Sequence, residues 1–134
     1  MRVALDTNVL ASAIGTRGLC ADVLRVTLLE HELVIGERVL EELRKNLARK
    51  FRLPATVIAE NEALVRQQAI VSSDAAGVTV AGIDASDARV LGEALGGRAE
   101  VFVTGDGELQ GLGDSAPIPI LSPRQFWDLL RRGP

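Results

Sequence analysis

Tyrosine is absent from this sequence of 134 residues, and cysteine, histidine and tryptophan occur once each. Cys20 alone cannot form an internal disulfide, and one cysteine with one histidine cannot build a structural zinc site, so any metal must be held by oxygen. One tryptophan and three phenylalanines leave little material for the aromatic platform on which single-stranded nucleic acid stacks. Lysine is also scarce, Lys45 and Lys50 being the only two, so backbone phosphate contacts fall mainly to arginine. A net charge of −3 excludes nucleic-acid binding by bulk electrostatics alone, although it does not exclude a nuclease. No apolar run approaches the roughly 20 residues that span a bilayer. Met1 to Leu5 runs straight into Asp6 with no signal segment or cleavage site, so the expectation is a cytoplasmic protein without membrane contact.

What remains is ordinary globular material. Hydrophobic residues make up 47% and charged residues 25%, which excludes a disordered or collagen-like chain, and residues 1–134 read as one domain large enough to bury a continuous core. Arg2 to Leu5 reads as a short buried strand, ended by Asp6-Thr7-Asn8 and followed by a helical turn through Ala13. After a break at Gly15 to Gly18, a helix is predicted over Leu19 to Glu30 and a strand over Leu33 to Ile35, closed by Gly36. Glu37 to Phe51 is helical with one apolar stripe of Val39, Leu40, Leu43 and Leu47, and Pro54 opens another helix through about Ile70. Val78 to Val80 is predicted as a strand, Ser86 to Leu95 as a helix stopped by Gly96-Gly97, and Val101 to Val103 as a central strand. Ile118-Pro119-Ile120 reads as an edge strand, because proline cannot donate to a ladder, and Arg124 to Arg132 as a closing helix. This alternation predicts an α/β fold, a mainly parallel sheet with helices on both faces.

Acidic residues cluster where these elements meet. Asp6 ends a central strand, where an open parallel sheet collects functional side chains, and it also suits a helix cap. Thr7 and Asn8 beside it are short polar groups able to hold a carboxylate. In the charged helix, Glu42 lies nearer the edge of the apolar stripe than Glu41, so Glu42 is the candidate. Arg38, Lys45 and Arg49 share its face and would suit a phosphodiester, although plain ion pairing at i,i+4 also explains Arg38 and Arg49. Asp84 and Ser86 are both cap candidates, whereas Asp87 shares a face with Leu91 and Ala94 and points toward the sheet. Asp106, with glycines on both sides, follows the strand and Thr104. Carboxylates converging within about 5 Å repel by roughly 3 kcal/mol per pair, so such a cluster needs protons or a cation. A divalent, oxygen-seeking ion answers that need. His31 reads as a loop residue, Cys20 as core, and Phe126 with Trp127 as packing or a subunit contact.

In order and spacing, Val3-Ala4-Leu5-Asp6-Thr7-Asn8-Val9-Leu10, Val39-Leu40-Glu41-Glu42-Leu43, Asp84 to Asp87 with Val90 to Leu95, and Val101-Phe102-Val103-Thr104-Gly105-Asp106 resemble a PIN-domain ribonuclease. The likeness runs nearly end to end and is greatest to the bacterial PIN proteins that are toxin components of toxin–antitoxin pairs. It implies a five-stranded parallel sheet, a cleft holding Mg²⁺ or Mn²⁺, and hydrolysis of RNA that leaves a 5′ phosphate and a 3′ hydroxyl. Matched by position, Asp6, Glu42, Asp87 and Asp106 form the acidic quartet that implies metal binding and catalysis, with Thr7, Asn8, Thr104 and Asp84 in support. It further implies an antitoxin partner and a homodimer. The third signature departs from the group, in which an acid, a proline and two acids are common; here Ala85 and Ser86 fill the middle. A response-regulator receiver fits poorly, since no lysine follows Lys50, and a haloacid-dehalogenase-type phosphatase would want an aspartate where Asn8 stands. The rival of another class is a non-catalytic PIN-like module that binds RNA or protein, its acids serving as caps and turns.

Overall fold

The strand nearest the start of the sequence is the middle of the sheet. In the computed structural model, which describes residues 1–73 and 77–132, β1 (Arg2–Leu5) pairs in parallel with β2 (Glu32–Gly36) on one side and β4 (Val101–Val103) on the other. β3 (Ile70–Ser72) extends the sheet beyond β2 and β5 (Ile120–Leu121) beyond β4, giving the parallel order β3-β2-β1-β4-β5. In register, Ala4 stands opposite Val34 and Phe102. The three central strands are apolar at nearly every position because both faces of the sheet are covered.

Helices α1 (Thr7–Gly15) and α2 (Leu19–Glu30) connect β1 to β2, and α3 (Glu37–Arg49) and α4 (Ala55–Gln68) connect β2 to β3. From β3 the chain turns back past β1 to β4 through α5 (Ala85–Gly96), so right-handed crossovers place α5 on the face opposite the first four helices. The short α6 (Gly107–Gln110) and a 3₁₀ turn at Gly113–Ser115 precede β5, and α7 (Pro123–Arg132) follows it. The reversal of direction lies between β1 and β4. Their C-terminal ends therefore flank the crevice at which open α/β sheets bind ligands.

The predicted α3 stripe is the buried one: Val39, Leu40, Leu43 and Leu47 are at most 2% exposed, each worth about 1.5–3 kcal/mol of burial. The third strand lies elsewhere than predicted. Residues 77–80 form no regular secondary structure, and the strand is Ile70–Ser72, where helical periodicity had carried α4 onward. The β-branched pair Ile70-Val71 lies against Val34 and Ile35 at the open side of β2, and three residues are too few to display alternation. The fifth strand is shifted to Ile120–Leu121, leaving Pro119 just outside it with its carbonyl accepting from the Phe102 N–H at 3.0 Å. Phe126 is wholly buried in the chain's own core, which removes it as a subunit contact, and Trp127 packs against that core. Large apolar side chains are exposed at Leu28 and Leu29 on α2, at Leu64 on α4 and at Leu129 on α7. Among the described residues, no helix is long and apolar enough to cross a membrane.

Candidate functional site

Asp6 is fixed from both sides of the crevice. Its N–H donates to the Val103 carbonyl at 2.9 Å, extending the β1–β4 ladder by one residue. Its carboxylate caps α1, Oδ1 accepting from the Thr7 N–H at 2.8 Å, while Oδ2 accepts from Thr104 Oγ1 at 2.7 Å. The cap and the sheet-edge acid are thus the same residue in the same rotamer. Asn8 Oδ1 accepts from the Gly105 N–H at 3.2 Å, a second tie between the two strand ends. The Thr7 hydroxyl, expected to support a carboxylate, is buried without a hydrogen-bond partner, and the supporting hydroxyl is that of Thr104.

Thr104 is fully buried and holds the other strand end in place. Its hydroxyl accepts from the Asp106 N–H at 3.0 Å, its N–H donates to the Leu121 carbonyl, and its carbonyl accepts from Gln110 Nε2 at 2.8 Å. Asp106 caps α6 through Oδ1, which accepts from the Glu108 N–H at 2.8 Å. On α5, Asp84 is the N-cap, accepting from the Asp87 N–H at 2.8 Å, and Ser86 lies one residue inside the helix.

α3 supplies Glu42. Its side chain is 34% exposed against 42% for Glu41, and it is Glu42 that feels the charges of Asp6 and Asp84. Arg38 stands between the two glutamates, its Nη1 donating to Glu41 Oε2 at 3.2 Å and its Nε 3.5 Å from Glu42 Oε1. The same Nε–H donates to Ser86 Oγ at 3.2 Å. Arg38 is therefore committed to its neighbours, whereas Lys45 and Arg49 are exposed and make no ion pair among the described residues. Lys45 nonetheless lies near enough to Glu42 to favour its charged form.

The titration of these acids reports how closely they are grouped. Burial pushes Asp6 up, opposed by the hydrogen bonds from Thr104 and the Thr7 N–H and reinforced by the charge of Asp106. Glu42 is also raised by burial, with Arg38 and Lys45 opposing and Asp6 and Asp84 adding to the shift. Asp87 is pushed up to about 6, first by burial and then by the charges of Asp84, Asp106, Asp6 and Glu42. All five acids thus meet electrostatically at Asp87.

Their chemistry fits a hard divalent cation, since every donor is a carboxylate oxygen. Asp106 Oδ2 and Glu42 Oε2 have no hydrogen-bond partner among the described residues, nor has either oxygen of Asp87, and each bonded oxygen of Asp6 keeps a second lone pair. The carboxylates are grouped without being closed around a point: among the described residues, no three acidic, histidine or cysteine side chains are placed to hold one ion. Two participants escaped the sequence reading. Gln110, which braces Thr104, carries no signal of its own, and Glu93 on α5 was hidden inside an apolar helix face.

No curated protein sequence matches the chain. Among solved structures it is similar to VapBC2 from Rickettsia felis bound to a DNA fragment from their promoter, with a TM-score of 0.59 and 17% identity over 90% of this chain and 97% of that one. It is equally similar to FitAcB from Neisseria gonorrhoeae, with a TM-score of 0.59 and 16% identity over 91% of this chain and 98% of that one. At such identities the likeness is one of fold. The sequence profile that matches is that of the PIN domain, over residues 2–108, which takes in all four strand ends and helices that carry the acids. The chain belongs to the PIN-domain family.

Proposed function

We propose that the chain is a Mg²⁺- or Mn²⁺-dependent endoribonuclease acting on single-stranded RNA, and the toxin of a toxin–antitoxin pair. The observation that carries this reading is the grouping of acids from four parts of the fold, Asp6 and Asp106 joined through the Thr104 hydroxyl and Asp87 close enough to feel the charges of Asp84, Asp106, Asp6 and Glu42. Asp6, Glu42, Asp87 and Asp106 would hold the metal, which when bound supplies Lewis acidity and a water of lowered pKa. Asp6 and Asp106 are held by main-chain and Thr104 hydrogen bonds, so their positions do not depend on the ion. Lys45 and Arg49 would contact substrate phosphates, and Arg38 would orient Glu42.

Family resemblance supports an antitoxin partner and a homodimer. Exposed Leu28, Leu29 and Leu64 support an apolar docking area, and a cavity of about 160 Å³ between α2 and α4 is lined in part by Leu24, Leu28, Leu64 and Val65. Sedimentation of the isolated chain tests self-association, and a monomer at high concentration removes the dimer.

The second reading, a non-catalytic PIN-like module binding RNA or protein, draws on the caps made by Asp6, Asp84 and Asp106 and on the lack of three converging ligands among the described residues. Metal separates the two. A nuclease of this kind gains about 2.7 kcal/mol of stability when Mn²⁺ is present at a hundred times its Kd, and cleaves an RNA pool until chelator is added. An unchanged melting midpoint in millimolar Mn²⁺, with no chelator-sensitive cleavage, leaves the binding module standing.

A further inference from the structure

Glu93 is a glutamate in the hydrophobic core, 1% exposed. A buried carboxylate persists only where its oxygens are engaged, and both of these are. Oε1 accepts from the Arg38 main-chain N–H at 2.9 Å, and Oε2 lies 3.5 Å from Arg89 Nε, one turn earlier on the same helix. Arg38 is the second residue of α3, so the donor is one of the N–H groups that a helix start leaves unpaired. Normally the residue just before the helix satisfies it with its own side chain. Here that residue is Gly36, which has none. A Cβ at Gly36 would stand 2.6 Å from Glu93 Oε1 and 2.8 Å from Glu93 Cβ, so the glycine makes the room into which the glutamate reaches. The cap of α3 is supplied from α5, by a glutamate 55 residues beyond the Arg38 N–H it accepts from.

α5 holds the same arginine a second time. Ser86, seven residues before Glu93 and hence on the same face, accepts from the Arg38 side chain, whose guanidinium also lies against Glu42. We propose that Glu93, assisted by Ser86, is a positioning residue for Glu42: α5 grips Arg38 by main chain and side chain and so fixes how α3 presents its glutamate to the acids at the strand ends. Ser86 occupies one of the places where the third signature departs from its group, and the contact with Arg38 gives that departure a use. The role rests on the reading of Glu42 as a metal-holding residue.

Glu93→Ala, Glu93→Gln and Ser86→Ala in the full-length chain test it, with amide hydrogen exchange at Arg38 and calorimetric titration with Mn²⁺ alone as readouts. In the wild type the Arg38 N–H is protected. Glu93→Ala exposes it and weakens Mn²⁺ binding about ten-fold, the usual size of effect for a group that orients a ligand. Glu93→Gln keeps an acceptor oxygen in place and restores both, with Mn²⁺ affinity within about two-fold of wild type. Equal losses of Mn²⁺ affinity in the Ala and Gln variants would mean a charge or a folding effect and overturn the proposal. An Arg38 amide still protected in Glu93→Ala, or unchanged affinity with that amide exposed, overturns it as well. Should Glu93→Ala fail to fold, Ser86→Ala removes the side-chain half alone and is expected to cost about two- to ten-fold in Mn²⁺ affinity, the worth of one hydrogen bond; no loss overturns the grip. A wild-type chain that takes up no Mn²⁺ sinks the metal reading and the role of Glu93 with it, whereas an unprotected Arg38 amide in a chain that does bind Mn²⁺ sinks the grip alone.

Discussion

Thr104 Oγ1 stands 2.7 Å from Asp6 Oδ2 and accepts from the Asp106 N–H at 3.0 Å, so one buried hydroxyl joins two acids whose positions in the chain are far apart. Thr104→Val keeps the shape and leaves both partners bare. The expected outcome is a loss of about 1–3 kcal/mol in denaturant melts together with weaker Mn²⁺ binding. An unchanged midpoint would show that the hydroxyl is not what holds the two strand ends.

Charge, rather than bulk, is what the quartet contributes. Asp6→Asn and Asp106→Asn are expected to abolish chelator-sensitive cleavage, and Glu42→Gln and Asp87→Asn to slow it at least about ten-fold, roughly 1.4 kcal/mol of barrier. Glu41, which faces Arg38 and Arg89, should tolerate Gln with a rate close to wild type. Because each amide removes a repelling charge, the metal-free melting temperature of Asp87→Asn should be unchanged or higher. Full activity in the Asp6 and Asp106 variants would end the nuclease assignment.

Acid should stabilise the metal-free protein. Asp87 titrates near 6 when folded and near its ordinary 3.8 when unfolded, so between those values the native state binds the extra proton. Stability is therefore complete below the lower value and is lost as pH rises through the upper one. Asp6 and Glu42, also raised, act in the same direction. Melting in chelator is expected to move upward from about pH 7.5 to about pH 5, with the trend flattened in Asp87→Asn. A midpoint that falls steadily over that range would contradict the grouping of the acids.

Lys45 and Arg49 should reveal themselves through salt. If each neutralises one phosphate of a single strand, Lys45→Gln and Arg49→Gln each lower the slope of log K against log salt by about 0.7. Arg38→Gln should leave that slope alone and disturb metal binding instead, since its guanidinium is already held by Glu41, Glu42 and Ser86. RNA binding by filter retention across a salt series decides between them.

Much of this architecture is legible in the residues because its signals are local. The apolar runs of β1, β2 and β4, the stripe of α3 and the polar breaks after Leu5 and Val103 are set by nearest neighbours and by period. Ile70–Ser72 was not legible, since a three-residue strand takes its identity from the partner it meets, and the helical period of α4 ran over it. In the candidate site, Asp6 and Asp106 could be found because strand ends mark them, and Glu42 because its helix has a clear face. Thr104 was visible only as a neighbour of Asp106, and its choice of Asp6 depends on the β1–β4 pairing. Glu93 was concealed by its surroundings, Val90, Leu91 and Ala94, which make that face look wholly apolar. Its one outward sign is negative: α3 begins after a glycine, with no residue able to cap it.

The position of β1 at the centre of the sheet also governs when the crevice is completed during synthesis. The ribosome makes Asp6 and Glu42 well before the groups that brace Asp6, since the supporting strand ends at Val103 and the hydroxyl that binds it belongs to Thr104. A nascent chain halted anywhere before β4 carries its earliest acids with the β4 side of β1 open and no partner for Asp6 Oδ2. Assembly of the crevice is thereby deferred until β4, far beyond Glu42 in the chain, has been translated. Under the nuclease reading proposed above, that ordering leaves the crevice unassembled on any nascent chain that has not yet reached Thr104.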